Sequence, residues 1–175
     1  MAASGLLGDV TTTAPGGAGH DGVRIRPAER ADLLAVARIE RESFTQPWPF
    51  QAFEGFLGQA GFLVAEAGTG VAGYVVADTV PQGGRRVGHV KDIAVHPDWR
   101  GRGLGTRLLD RALGVLEARG VDMAKLEVRQ SNETAIELYR RFGFEPRHLV
   151  TEYYADGEAA AVLAVELDER WRPFG

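Results

Sequence analysis

Arg100-Gly101-Arg102-Gly103-Leu104-Gly105-Thr106 sets three glycines at alternate positions directly ahead of an amphipathic helical pattern. Such glycines let the backbone turn tightly and let a ligand approach with no Cβ in the way. The free N–H groups and dipole of a helix start make an anion site, so the chemistry suggested is binding of a phosphate or pyrophosphate. A P-loop is excluded because no Gly-Lys-Ser/Thr follows, and the dinucleotide fingerprint fails because Thr106 stands where its third glycine is needed. A plain glycine-rich turn is the alternative. Further on, Glu127 lies between Leu126 and Val128 in a strand pattern, and alternation points it away from both. A solvated strand glutamate would look the same. Asn132 and Tyr139 are about two helical turns apart and share a helix face. The alternatives are a simple N-cap for Asn132 and core packing for Tyr139. His20, His89, His96 and His148 have no ligand spacing, so no metal is expected. The chain has no Cys, which removes thiolate catalysis, disulfides and cysteine-based zinc sites.

The elements that must position these residues follow from periodicity. Val23-Arg24-Ile25-Arg26 alternates as a short edge strand ended by Pro27. Asp32 can cap a helix carrying Leu33, Val36, Ala37 and Phe44 at helical spacing. Pro47-Trp48-Pro49 breaks it, and a second short helix starting at Pro49 can bury Phe53, Phe56 and Leu57. Strands are expected over 62–66, 71–80 and 87–95, joined by the turns Ala67-Gly68-Thr69-Gly70 and Pro81-Gln82-Gly83-Gly84. A long helix runs from the glycine turn to about Arg119, with Gly120 as its C-terminal cap. Then come a strand over 123–128, a helix over 132–142 closed by Gly143, and a hairpin of strands over 144–154 and 159–166 around Ala155-Asp156-Gly157. The strand–helix–strand crossover at 90–128 should be locally parallel inside an otherwise antiparallel sheet.

The 175 residues suit one domain, and 45% apolar content suits a packed core. Residues 1–22 hold 6 of the 23 Gly and few large apolar groups, which predicts a flexible tail; residues 169–175 are read as a short C-terminal tail, leaving a domain over 23–168. The net charge of −4 gives no basic footprint for nucleic acid. No apolar run is long enough to span a membrane, and no signal-peptide pattern opens the chain, so a cytoplasmic protein is expected.

The stretch Val90-Lys91-Asp92-Ile93-Ala94-Val95-His96-Pro97 followed by Arg100-Gly101-Arg102-Gly103-Leu104-Gly105 resembles the acetyl-CoA-binding core of the GNAT acetyltransferases. The resemblance spans roughly 23–167. It implies the α+β GNAT fold: about seven strands, mostly antiparallel and twisted, with a parallel splayed pair in the centre and about four flanking helices. It also implies acetyl-CoA as co-substrate. Backbone groups of Ile93, Ala94 and Val95 would pair with the pantetheine arm, and a strand N–H near Ile93 would polarise the thioester carbonyl. Arg100, Gly101, Arg102, Gly103, Leu104, Gly105 and Thr106 would hold the pyrophosphate.

Leu126-Glu127-Val128-Arg129-Gln130-Ser131-Asn132 with Leu138-Tyr139 and Phe142-Gly143-Phe144, and Glu152-Tyr153-Tyr154-Ala155-Asp156-Gly157, look like the RimI-type N-terminal acetyltransferases, which act on ribosomal protein termini. The resemblance implies transfer in one ternary complex. Glu127 would take the proton from the substrate α-ammonium, Tyr139 would protonate the departing CoA thiolate, and Asn132 would hydrogen-bond a pantetheine amide. His89, in Gly88-His89-Val90, resembles a strand histidine that relays the proton in archaeal and eukaryotic relatives; a half-exposed strand histidine is the alternative. Phe44, Pro47 and Trp48 resemble one wall of the family's peptide slot, and Tyr153 and Tyr154 the other, although Phe44 and Trp48 could equally pack beneath the loop. At pH 7 deprotonation costs ~1–1.4 kcal/mol for an α-amine but ~4.6 kcal/mol for a lysine, so a modest base suffices for the former. The expected partner is therefore a peptide or protein N-terminus, a ribosomal protein among the candidates. The alternatives are a GNAT enzyme acting on a small amine or a lysine, and a CoA-binding module without catalysis.

Overall fold

The structure, a computed structural model, describes residues 22–167. Period-two alternation and glycine turns produce β1 (Val23–Pro27), β2 (Phe62–Ala67), β3 (Gly70–Gln82) and β4 (Arg85–Val95). Between β1 and β2 lie α1 (Leu33–Ser43) and α2 (Phe50–Glu54). After β4 come α3 (Leu104–Ala118), β5 (Met123–Arg129), α4 (Glu133–Arg141), β6 (Glu145–Val150) and β7 (Ala160–Glu166). The sheet order is β1-β2-β3-β4-β5-β7-β6, antiparallel except for the parallel β4–β5 pair. The expected mixed sheet with a parallel central pair is therefore present. The tails expected over 1–22 and 169–175 lie outside the described residues, Gly22 excepted.

The sheet is covered on both faces. Leu108, Leu113 and Leu116 of α3 and Leu138 of α4 pack with Val75, Ile93, Leu126 and Leu163 on one face. Leu33, Val36 and Ile39 of α1 and Phe53 of α2 pack with Val64, Tyr74 and Ala94 on the other. In β5 Ala124, Leu126 and Val128 are buried toward α3 and α4, so Lys125, Glu127 and Arg129 face the α1–α2 side. In β4 the register slips between Val76↔Asp92 and Ala77↔Val90, leaving Lys91 as the extra residue of a β-bulge. The bulge reverses the alternation. Val90 and Ile93 both face α3, while Asp92 and Ala94 turn to the α1 side. Ladder pairing between β4 and β5 is confined to Gly88↔Ala124 and His89↔Lys125, after which the strands part.

Two local expectations are corrected. Asp32 does not cap α1 through its side chain. Its carboxyl is bound bidentately by Arg26 of β1 (2.7 and 2.9 Å) and accepts the Glu29 N–H across a preceding 3-10 turn, because a neighbouring guanidinium outbids a cap. The last hairpin is also shorter than expected: β6 ends at Val150, and 151–159 form a compact loop. Both Tyr153 N–H and Tyr154 N–H donate to the Glu158 carbonyl there, so neither tyrosine joins a ladder. At the other hairpin Gly83 and Gly84, with φ of 57° and 77°, allow the two-residue turn that prolongs β3 and β4 beyond their expected ends.

Leu108 is fully buried where α3 meets β3. Leu108→Ala is expected to cost about 2–5 kcal/mol of stability, read from urea denaturation.

Candidate active site

β4 delivers the chain into the glycine turn. Gly101 and Gly103 adopt φ of 75° and 77°, and Gly103 is the left-handed N-cap of α3 with no side chain closing it. The first N–H groups of α3 therefore point out of an uncapped helix mouth. A Cβ on Gly103 would meet no heavy atom within 4 Å, so the space above the turn is open. Leu104 and Gly105 are buried in the first turn of α3, and Thr106 is partly buried. Arg100 is structural here: its guanidinium donates to the Val95 carbonyl (3.0 Å) and to Ser43 Oγ (3.2 Å), tying the turn to β4 and α1. Arg102 lies over the Trp99 ring at 4.6 Å. Ile93 and Val95 bury their side chains toward α3, and Ala94 toward α1. The Ile93 N–H donates to the Asp92 carboxyl, so a role for it in polarising a carbonyl would compete with that bond.

At the point where β4 and β5 separate, His89 Nε2 lies 2.6 Å from Glu127 Oε2. Both side chains are only 13% exposed. Burial pushes the Glu127 carboxyl up, but the His89 hydrogen bond and charge, with help from Lys125, hold it below the ordinary range. Glu127 is therefore ionised, and the proton between the pair sits on His89 Nε2, which donates to it. Tyr139 of α4 is buried, its ring edge-on to Phe144 at 5.8 Å. Burial, the largest cause, raises its phenol well above the usual range, so it stays protonated. Asn132 caps α4, its Oδ1 accepting the Ala135 N–H at 3.1 Å. The capping alternative is thus realised.

A cavity of about 760 Å³ opens between the α1–α2 loop and the β6–β7 loop. Phe44, Pro47 and Trp48 line one side, Tyr153 and Tyr154 the other. Phe44 and Trp48 also pack beneath their loop, and Trp48 stacks on Phe56 at 5.8 Å. These residues therefore line the cavity and pack beneath the loop at once. Tyr153 is raised to about 12 by burial and by the negative charge of Glu127. Tyr154 is buried beneath Arg129, whose guanidinium lies 4.0 Å from its ring centroid. The cavity gathers the expected slot residues; Glu127, His89 and the glycine turn lie outside its lining.

The sequence reading missed Arg129, which pairs with Asp156 and Glu158, each at 2.8 Å, and so fixes the β6–β7 loop to β5. It missed Gln46, whose Oε1 accepts the Ala155 N–H across the slot. It also missed Glu40, Tyr74 and Asp92, which meet in the core. Glu40 was the findable one, because it occupies the apolar stripe of α1 alongside Leu33, Val36 and Ala37.

The acetyltransferase (GNAT) family profile matches residues 33–144. The chain belongs to the GNAT acetyltransferase family. The chain is 34% identical over 82% of its length to an N-alpha-acetyltransferase of Sulfurisphaera tokodaii, covering 93% of that protein. It is 33% identical over 79% of its length to the ribosomal protein bS18-alanine N-acetyltransferase of Escherichia coli, covering 93% of it. The crystal structure of that Escherichia coli enzyme superposes with a TM-score of 0.73 at 30% identity, covering 86% of this chain and 99% of that one. Acetyl-CoA is the co-substrate of this acetyltransferase. The uncapped helix mouth after β4 and the parted strands fit an extended pantetheine with a pyrophosphate at its end.

His89→Ala removes the largest of the causes that hold Glu127 down and leaves burial opposed only by weaker ones such as Lys125, so the Glu127 pKa should rise above its wild-type value, as read by carboxyl-carbon NMR. Because the wild-type carboxyl lies below its ordinary 4.5, its stabilising contribution is complete above that pH and is lost as pH falls through the depressed value. His89→Ala should weaken that acid-side loss in denaturation curves.

Proposed function

We propose that this enzyme transfers the acetyl group of acetyl-CoA to the α-amine of a protein N-terminus, with a ribosomal protein as the favoured target. A ribosomal target would put the reaction in the cytoplasm. The carrying observation is the buried His89–Glu127 pair beside a slot bounded by two loops. Two relatives named for N-terminal acetylation, at 33–34% identity over most of both chains, support the same reading.

In this reading the chain end enters between Trp48 and Tyr153, and the slot walls orient it. The ammonium loses its proton toward the Glu127–His89 pair, directly or through a water. Glu127 accepts it weakly, because His89 holds its proton affinity down. That suffices for an α-amine, roughly a tenth of which is already neutral at pH 7, and not for lysine. The neutral nitrogen attacks the thioester carbonyl, the C–S bond breaks, and Tyr139 gives its phenolic proton to the departing thiolate. The raised phenol guarantees that this proton is present at neutral pH. Gly101, Gly103, Leu104, Gly105 and Thr106 would hold the pyrophosphate through backbone N–H groups. Arg100 would act by bracing that turn.

A peptide panel with acetyl-CoA tests the assignment. Free α-amine peptides should outperform N-terminally blocked lysine peptides by roughly 250- to 500-fold, the ratio implied by the two deprotonation costs. Equal rates would exclude N-terminal selectivity. Glu127→Gln and Tyr139→Phe should each lower kcat/KM by about a hundredfold to ten-thousandfold with CoA binding retained.

A further inference from the structure

Three polar side chains meet in the apolar layer between α1 and the sheet. Glu40 of α1, Tyr74 of β3 and Asp92 of β4 are 2%, 0% and 1% exposed. The Tyr74 hydroxyl donates to Glu40 Oε2 and lies 3.1 Å from Asp92 Oδ2. Glu40 and Asp92 are also within hydrogen-bonding reach of each other. Among the described residues no arginine, lysine or histidine pairs with this trio, so none of them offsets two negative charges in an apolar layer. Two adjacent buried carboxylates without a cation hold one proton between them.

The outer contacts say which carboxyl keeps that proton. Glu40 is approached by donors at both oxygens, the Tyr74 hydroxyl at Oε2 and the Trp48 N–H at Oε1 (2.8 Å). It is therefore the carboxylate. The Tyr74 hydroxyl has one proton, already given to Glu40, so its contact with Asp92 needs a proton on Asp92. Burial raises both carboxyls, that of Asp92 well above its ordinary value. Asp92 also accepts the Ile93 N–H of its own strand. The resulting chain runs from the backbone of β4, through Asp92, Tyr74 and Glu40, to the backbone of the loop that lines the slot.

We propose that Glu40, Tyr74 and Asp92 form a shared-proton tether that sets the peptide-slot wall at Trp48 against the strand at Ile93. Glu40 is its positioning residue for the peptide. The proposal rests on the reading of the slot as a site for an α-amine peptide. Neither carboxyl touches the reacting atoms. Their part is to hold the wall in register, so their loss is felt in peptide binding rather than in acetyl-CoA binding.

The hydrogen-bond directions make the test asymmetric. Asp92→Asn keeps an acceptor for the Ile93 N–H and a donor for Tyr74, copying the protonated acid. Glu40→Gln either turns its amide donor against the Trp48 N–H, or keeps its oxygen there and donates to the Tyr74 hydroxyl, which must then give its own proton to Asp92 and leave that buried carboxyl ionised. In the full chain, Glu40→Gln should raise the KM of an alanine-initiated peptide by about ten- to a hundredfold, as a buried group left unpaired implies. The acetyl-CoA KM should stay within about twofold. Hydrogen exchange at the Trp48 amide should quicken in Glu40→Gln and keep its wild-type rate in Asp92→Asn. Tyr74→Phe, which deletes the donor while retaining the ring, should quicken that exchange too and stands in if Glu40→Gln does not fold. Unchanged Trp48 exchange in both variants overturns the tether, and so does an Asp92→Asn protein as impaired as Glu40→Gln. A wild-type enzyme that acetylates no α-amine peptide overturns the reading of the slot instead, and the exchange contrast, which needs no turnover, still decides the tether.

Discussion

The architecture of this enzyme depends on the brevity of one parallel ladder. β4 and β5 are joined by two residue pairs, the second of them His89↔Lys125. β5 then continues straight along β7 through seven registered pairs, while β4 stays with β3 and carries a bulge at Lys91. A bulged strand bends and twists more than its neighbour, so the two central strands cannot remain parallel neighbours beyond it. The opening this leaves exposes strand backbone in the middle of a sheet, where an extended ligand arm can dock. The His89–Glu127 hydrogen bond lies at the apex of the opening. There a side-chain contact bridges the strands just where the backbone ladder stops.

The same bulge sorts the residues by layer. The first turn of α3 and Tyr139 belong to the α3–α4 face, while Glu127, His89 and the slot loops belong to the α1–α2 face or the β6–β7 loop, and Asn132 at the start of α4 lines the slot cavity. In the proposed reading, acetyl donor and acetyl acceptor would approach from different sets of elements and meet where the strands part. The Arg129 pairs to Asp156 and Glu158 carry this order outward, since they anchor the tyrosine-bearing loop to the strand that holds Glu127. Such exposed pairs contribute little stability one by one, but a shared guanidinium fixes geometry.

What the sequence made legible was whatever follows from neighbours along the chain. Alternation located the strands, the 3.6 period located α1 and α3, and the glycines announced the turn between β4 and α3. What depended on distant partners was not legible. Asp32 looked like a helix cap because nothing local reveals that Arg26 is folded against it. Tyr153 and Tyr154 looked like strand residues because their alternation continues that of β6, whereas the loop is closed by Glu158, which only the fold brings near. Glu127 and His89 are 38 positions apart, and their pairing needs the crossover to be parallel and in one particular register.

The chain contains two buried carboxylate arrangements, and their contrast shows how environment divides their work. Glu127 has an imidazole donor and a nearby ammonium, so it is kept ionised despite burial. Glu40 and Asp92 have a phenol and backbone N–H groups but no cation, so between them one proton is retained. The residue type is nearly the same in each case, and the difference lies in whether a cationic partner is supplied. In the proposed reading, the ionised carboxylate at the parting of the strands is the group that would attract an ammonium and take its proton. A proton-sharing pair in the apolar layer carries less charge and therefore can sit beneath the slot wall without drawing water into it. Had a basic residue stood in place of Tyr74, both carboxyls would ionise, and the chain of hydrogen bonds would become an ion cluster of the same net charge with no shared proton to hold it.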